Sequence, residues 1–160
     1  MAIKKIITIP NQILRAPTTL VDPFLVNQKS FKLLIEDLMD SMLSSDGIGI
    51  AATQIGSNLK VCIINTKDKP LVLINPAIAK FSWRKAIMEE GCLSVPGVWG
   101  LVKRSKKITV QTMNDKGEQK IFEAKDMFAR VIQHEIDHLN GILFIDKTLK
   151  YTQGEPPKNS

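Results

Sequence analysis

The chain has 160 residues, 44% hydrophobic and 24% charged, the size and composition of one globular domain that can bury a core without disulfide staples. Its two cysteines, Cys62 and Cys92, are too few for a disulfide framework, and no apolar run reaches membrane-spanning length. The net charge of +6 would suit a polyanion such as RNA, but the lysines are scattered along the sequence and the tightest cluster, Lys103-Arg104-Ser105-Lys106-Lys107, reads as a solvated strand end, so no specific nucleic-acid partner is expected.

The first residues read as an extended segment broken by Pro10, Pro17 and Pro23, with an apolar run too short for a signal peptide. A reducing, cytoplasmic setting is therefore expected. Residues 28–45 place Phe31, Leu34, Ile35, Leu38, Met39 and Met42 at helical spacing, with Ser30 as N-cap and Gly47 as the stop. KVCIINT and LVLINPAI, separated by KDKP, are rich in β-branched residues and read as strands. Residues 84–95 read as strand and turn, and KITVQTM and KIFEAKD flank NDKGEQ as a hairpin turning at Gly117. A second helix is predicted over 125–139, with Met127, Phe128, Val131, Ile132, Ile136 and Leu139 on its apolar side. The residues after Tyr151 are polar and proline-containing, so the expected organisation is one domain over 1–150 and a flexible tail over 151–160. Segregated strands and helices argue for an α+β fold.

The second helix carries the chemistry. HEIDH begins at His134, and these two histidines are the only ones in the chain. Residues i and i+4 share a helix face, so His134 and His138 can grip one ion, while Glu135, about 100° round the helix, can reach a water there without ligating. A catalytic site needs a third protein ligand. The position six after His138 is Phe144, and the later acids, Asp146 and Glu155, are poorly placed, so the ligand is sought upstream. Cys62 lies in the apolar strand VCIIN and reads as a small buried hydrophobe. Cys92, in the glycine- and proline-flanked stretch EEGCLSVPG, is the better ligand, giving a site of Cys92, His134, His138 and water.

GIGIAATQ (Gly47–Gln54), EGCLS (Glu90–Ser94) and QHEIDH (Gln133–His138) together resemble, in order and spacing, the three signature motifs of peptide deformylase. The resemblance extends from Leu14-Arg15 to Phe144-Ile145-Asp146. It implies antiparallel sheets surrounding the HExxH helix and removal of the formyl group from N-terminal formylmethionine. It also implies one divalent metal, natively ferrous iron, with zinc, nickel or cobalt found after purification. On the same basis Glu135 moves protons and the Leu93 N–H and Gln54 amide stabilise the oxyanion. The substrate backbone pairs near Ile48, Gly49 and Gly91, and Met127, Val131 and the His134 ring form the methionine pocket with Arg130 at its mouth. The implied partners are N-formylmethionyl nascent chains, met by a monomer in transient contact with the ribosome, in the cytoplasm or in an organelle after removal of a transit segment. Some family members dock on the ribosome through a basic C-terminal helix; Pro156 and Pro157 follow Lys147–Lys150 closely here, so contact by that route is not expected. The competing reading is a zinc metallopeptidase of the HExxH class, against which stand the missing downstream ligand and the presence of Cys92.

Overall fold

The computed structural model describes residues 3–160. Its elements are α1 (Lys29–Ser44), β1 (Gly49–Ala51), β2 (Val61–Ile64), β3 (Leu71–Phe81), β4 (Lys85–Cys92), β5 (Val95–Ser105), β6 (Lys107–Met113), β7 (Gln119–Lys125), α2 (Asp126–Leu139) and β8 (Thr148–Gln153), with short 3-10 turns between them. The strands form a five-stranded sheet in the order β1-β2-β3-β6-β7 and a three-stranded sheet in the order β4-β5-β8. All named strand pairs are antiparallel.

Strand periodicity explains how the helices pack. Side chains alternate across a sheet, so Val61 and Ile63 of β2 join Phe31, Leu38 and Met42 of α1 on one face. Cys62 and Ile64 join Ile132, Ile136 and Leu139 of α2 on the other. β2 is buried at every position because both faces are covered. A third cluster, with Val95, Val98 and Val102 of β5, Leu14 and Phe144, underlies the smaller sheet. α2 is thus held among β1, β2, β6 and β7 on one side and β5 on the other.

Several local expectations are corrected. Gln28, not Ser30, is the N-cap of α1, and it makes no side-chain cap bond. The helix ends at Ser44, just before the expected stop at Gly47, and Asp46 takes the left-handed conformation there, at φ 51. A short polar side chain tolerates that conformation, and the Gly47 N–H then reaches the Met42 carbonyl at 2.9 Å. The polar tail starts later than residue 151. Trp99 pairs with Gln153 and Gly100 with Tyr151, so the chain stays in the sheet through Gln153. Arg104 is not part of a solvated strand end, since only 4% of it is exposed.

Candidate metal centre

α2 is buried on nearly all sides, including Arg130, Gln133, Glu135, Asp137 and His138. Polar groups placed there need partners, and most have them. The Gln133 amide bonds to both the N–H and the carbonyl of Ser105. Asp137 accepts from Arg104 at 2.7 Å and from Lys147 at 2.8 Å. The exceptions among the described residues are Thr53 Oγ1, Glu135 Oε2 and His138 Nδ1. Two of these three orphaned atoms belong to the HExxH motif.

The helix lies beside the β4–β5 turn. Cys92 ends β4, where the register shifts between Gly91 and Cys92 and points the thiol at α2. Its Sγ lies 3.1 Å from His138 Nε2. The Cys92 sulfur and one nitrogen from each of His134 and His138 fall within 4.8 Å of one another. Burial pushes the Cys92 thiol up, but the nearby imidazoles of His138 and His134 outweigh it and hold the thiol well below its ordinary range. Burial pushes His134 down, yet its bonds to Cys92 and Glu90 raise it to about 10. One thiolate and two imidazoles, gathered this tightly, fit a single ion of zinc or ferrous type.

A buried charge network orients this group, and sequence reasoning missed it. Glu90 accepts from Arg104 Nε at 2.7 Å, Arg104 Nη2 at 2.9 Å and Arg130 Nη1 at 2.6 Å, and it meets His134 Nδ1 at 3.1 Å. Burial raises the Glu90 carboxyl, but bonds from His134 and Arg104 dominate and hold it far below the usual carboxylate range. With Nδ1 engaged by a carboxylate, His134 presents Nε2, the support that ligating histidines usually have. Arg130 was expected at a pocket mouth. It is 4% exposed, and its guanidinium also donates to the Val102 and Ala86 carbonyls, so it braces the wall of the site. The only signal for this network was the glutamate opening EGCLS.

Beside these groups lies a cavity of about 540 Å³. Its wall includes Ile48, Gly49, Gln54, Gly91, Leu93, Met127, Arg130, Val131, His134 and Glu135, so the expected substrate residues share one space with the expected catalytic ones. Met127, placed on the apolar side of α2, is half exposed and borders this cavity. Trp99, which no sequence motif singles out, lies against Gly91 and lines it too. Gln54 is fixed by accepting from the Ala51 N–H at 2.9 Å and donating to Ser94 Oγ at 3.1 Å, and its Nε2 lies 3.8 Å from Cys92 Sγ. Phe144, which occupies the position where one HExxH pattern has a third histidine, instead stacks on the His134 ring with centroids 6.2 Å apart. Cys62 is fully buried in the sheet, as expected.

Gly49 and Glu135 are in contact. A Cβ at Gly49 would sit 2.5 Å from Glu135 Oε1 and 2.9 Å from its Cδ. Gly49→Ala is expected to displace the carboxylate, with kcat falling by about a hundredfold and metal content unchanged, because a misplacement of about 1 Å can cost that much. A kcat within twofold of the parent in steady-state assays would show that the Glu135 position is not critical.

The polypeptide deformylase family model matches residues 3–153. The chain belongs to the peptide deformylase family. It is 42% identical over 147 residues to peptide deformylase 1 of Clostridium acetobutylicum, covering 92% of this chain and 95% of the relative. It is 41% identical to the Syntrophomonas wolfei peptide deformylase, covering 94% and 96%. Among solved structures, a class I type b peptide deformylase from Acinetobacter baumannii with Met-Ala-Ser bound superposes with a TM-score of 0.86 at 31% identity, covering 91% of this chain and 98% of that one. A Synechococcus elongatus peptide deformylase in complex with actinonin gives 0.84 at 36% identity, covering 89% and 77%. The deformylase is an enzyme that removes N-terminal formyl groups, and the metallopeptidase alternative is not favoured. No helix among the described residues is long and apolar enough to cross a membrane.

Proposed function

We propose that Cys92, His134 and His138 hold one divalent metal ion, ferrous iron in the cell and zinc, nickel or cobalt after purification, and that Glu135, Gln54 and Leu93 carry out deformylation beside it. The observation that carries this reading is Glu135 Oε2, a buried carboxylate oxygen with no partner, next to a Cys-His-His cluster and a cavity. A divalent ion held there supplies Lewis acidity and activates water near neutral pH. Glu135 accepts the proton from water and passes it to the departing amine nitrogen. Burial raises the Glu135 carboxyl, which suits an acid–base group working near neutrality. Gln54 Nε2 and the Leu93 N–H donate to the oxyanion, and Gln54 is already fixed by its bonds to Ala51 and Ser94.

The substrate chain lies between two sheet edges. β1 ends the five-stranded sheet and β4 ends the three-stranded one, and both border the cavity at Ile48–Gly49 and Glu89–Gly91. An extended peptide adds to such edges through main-chain bonds, which are indifferent to its side chains. The methionine side chain packs against Met127, Val131 and the His134 ring. The bound Met-Ala-Ser of the Acinetobacter baumannii relative supports a peptide in this cavity. On this reading the chain acts as a cytoplasmic monomer on nascent polypeptides, in transient contact with the ribosome.

The test is mass spectrometry of formyl-Met-Ala-Ser incubated with anaerobically prepared protein of known metal content. Loss of the formyl group, with formate released and the peptide bonds intact, is expected. Cleavage between residues, or turnover independent of metal, would refute the scheme.

A further inference from the structure

The connection between β3 and β4, at the end of β4 remote from Cys92, carries Trp83 and Arg84 and is flanked by Phe81 and Lys85. Lys85 and Cys92 lie seven positions apart on an extended strand, so this tip is about 23 Å from the metal site. Trp83 is 83% exposed and Phe81 54%. Each ring has a cation beside it. The Arg84 guanidinium lies 5.4 Å from the Trp83 centroid, and Lys85 Nζ lies 5.7 Å from that of Phe81.

Strand pairing brings further cations here from distant segments. Phe81 pairs with Ile108, Lys107 with Lys125 and Ile87 with Lys103. The Ser82 N–H donates to the Lys107 carbonyl, and the Lys106 N–H to that of Arg84. Lys80, Arg84, Lys85, Lys103, Lys106, Lys107 and Lys125 thus gather at one end of the molecule. The carboxylates among them are Glu123, 2.6 Å from Lys107 Nζ, and Asp126, 3.8 Å from Lys106 Nζ. Seven cations against two carboxylates leave an excess of five, nearly the whole +6 of the chain. Lys80, Arg84 and Lys103 make no ion pair among the described residues.

Exposed flat rings interleaved with unpaired cations are complementary to a phosphodiester chain with unstacked bases. The phosphates release counterions to the lysines, and the bases stack on the rings. An acidic peptide would satisfy the cations and leave the rings without flat partners. We propose that this tip binds single-stranded RNA irrespective of sequence, with Trp83 and Phe81 as stacking platforms and Lys80, Arg84 and Lys103 as phosphate contacts. This surface is separate from the deformylation site and its role does not depend on the chemistry there.

Fluorescence anisotropy of a 5′-fluorescein-labelled, mixed-sequence 12-nucleotide RNA, titrated with the metal-loaded full chain, tests this. Contact with three to four phosphates predicts a plot of log affinity against log salt with a slope of roughly −2 to −3. Trp83→Ala is expected to weaken binding about tenfold, with Trp83→Phe recovering most of it. An abasic 12-mer should bind the parent more weakly than RNA binds Trp83→Ala, because it loses stacking on Phe81 as well. Turnover of formyl-Met-Ala-Ser should be the same in Trp83→Ala as in the parent. Equal RNA affinity of parent and Trp83→Ala overturns the proposal, as does equal binding of RNA and the abasic chain. So does binding to phosphatidylglycerol-containing vesicles that Trp83→Ala abolishes while RNA fails to compete, which would make the tip a lipid contact. Should Trp83→Ala not fold, the double alanine variant of exposed Arg84 and Lys103 probes the same surface, and unchanged RNA affinity there is equally decisive against it.

Discussion

Cys92→Ala is expected to purify without stoichiometric metal, whereas Cys62→Ala should retain it. The two thiols belong to the same protein but to different environments. Cys92 Sγ lies 3.1 Å from His138 Nε2, and the surrounding imidazoles favour its thiolate, the form that ligates metal. Cys62 is fully buried between Ala51 and Leu73 in neighbouring strands, and burial, reinforced by the charge of Glu135, pushes its thiol well above its ordinary range. On the proposed ligand set, removing the Cys92 sulfur takes away one of three protein ligands, and two imidazoles alone hold a divalent cation weakly. Removing the Cys62 sulfur leaves a small cavity behind Glu135, worth about 1 kcal/mol of stability. Elemental analysis of both variants after anaerobic purification and gel filtration separates these outcomes, with thermal melts in the presence and absence of chelator. Metal retained at parental affinity in Cys92→Ala, or lost in Cys62→Ala, would overturn the assignment.

Glu135→Gln should do the opposite, keeping the metal and losing turnover by about 10²- to 10⁴-fold, the range that general acid–base catalysis supplies. Glu135 is not among the grouped donors, which are Cys92, His134 and His138. Its Oε2 is buried and without a partner. Glutamine preserves the shape, including the close contact with Gly49, but cannot accept and release the proton. Parallel measurement of metal content, kcat and KM decides the matter. A kcat near the parental value would remove Glu135 from the proton path, and loss of metal would make it a ligand or a structural support instead.

Much of the fold follows from local pattern. Helical spacing set both α1 and α2, and β-branched runs with polar breaks set β2, β3 and the β6–β7 hairpin, because periodicities of 3.6 and 2 are imposed by backbone geometry itself. The grouping of Cys92, His134 and His138 was legible for a related reason. His134 and His138 share a helix face wherever the helix sits, and Cys92 was the remaining thiol in a polar setting.

Other features depend on which chain segments meet, and sequence spacing does not encode that. Arg104 lies in a run of cations that looks solvated, yet strand pairing turns it inward between Glu90 and Asp137, where the cost of burial is offset by charge-assisted bonds. Arg130, placed at a pocket mouth by the family resemblance, is drawn to the same Glu90. Glu90 became the support of His134 only because the fold brings the end of β4 up to α2. Thr152 and Gln153 look like a loose tail until the exposed edge of β5 gives their backbone groups partners. The lysines that seemed scattered are scattered only along the chain. Antiparallel pairing places residues 80, 103 and 125 at one end of the fold, so the sequence determined the net charge and the tertiary structure decided where that charge is concentrated.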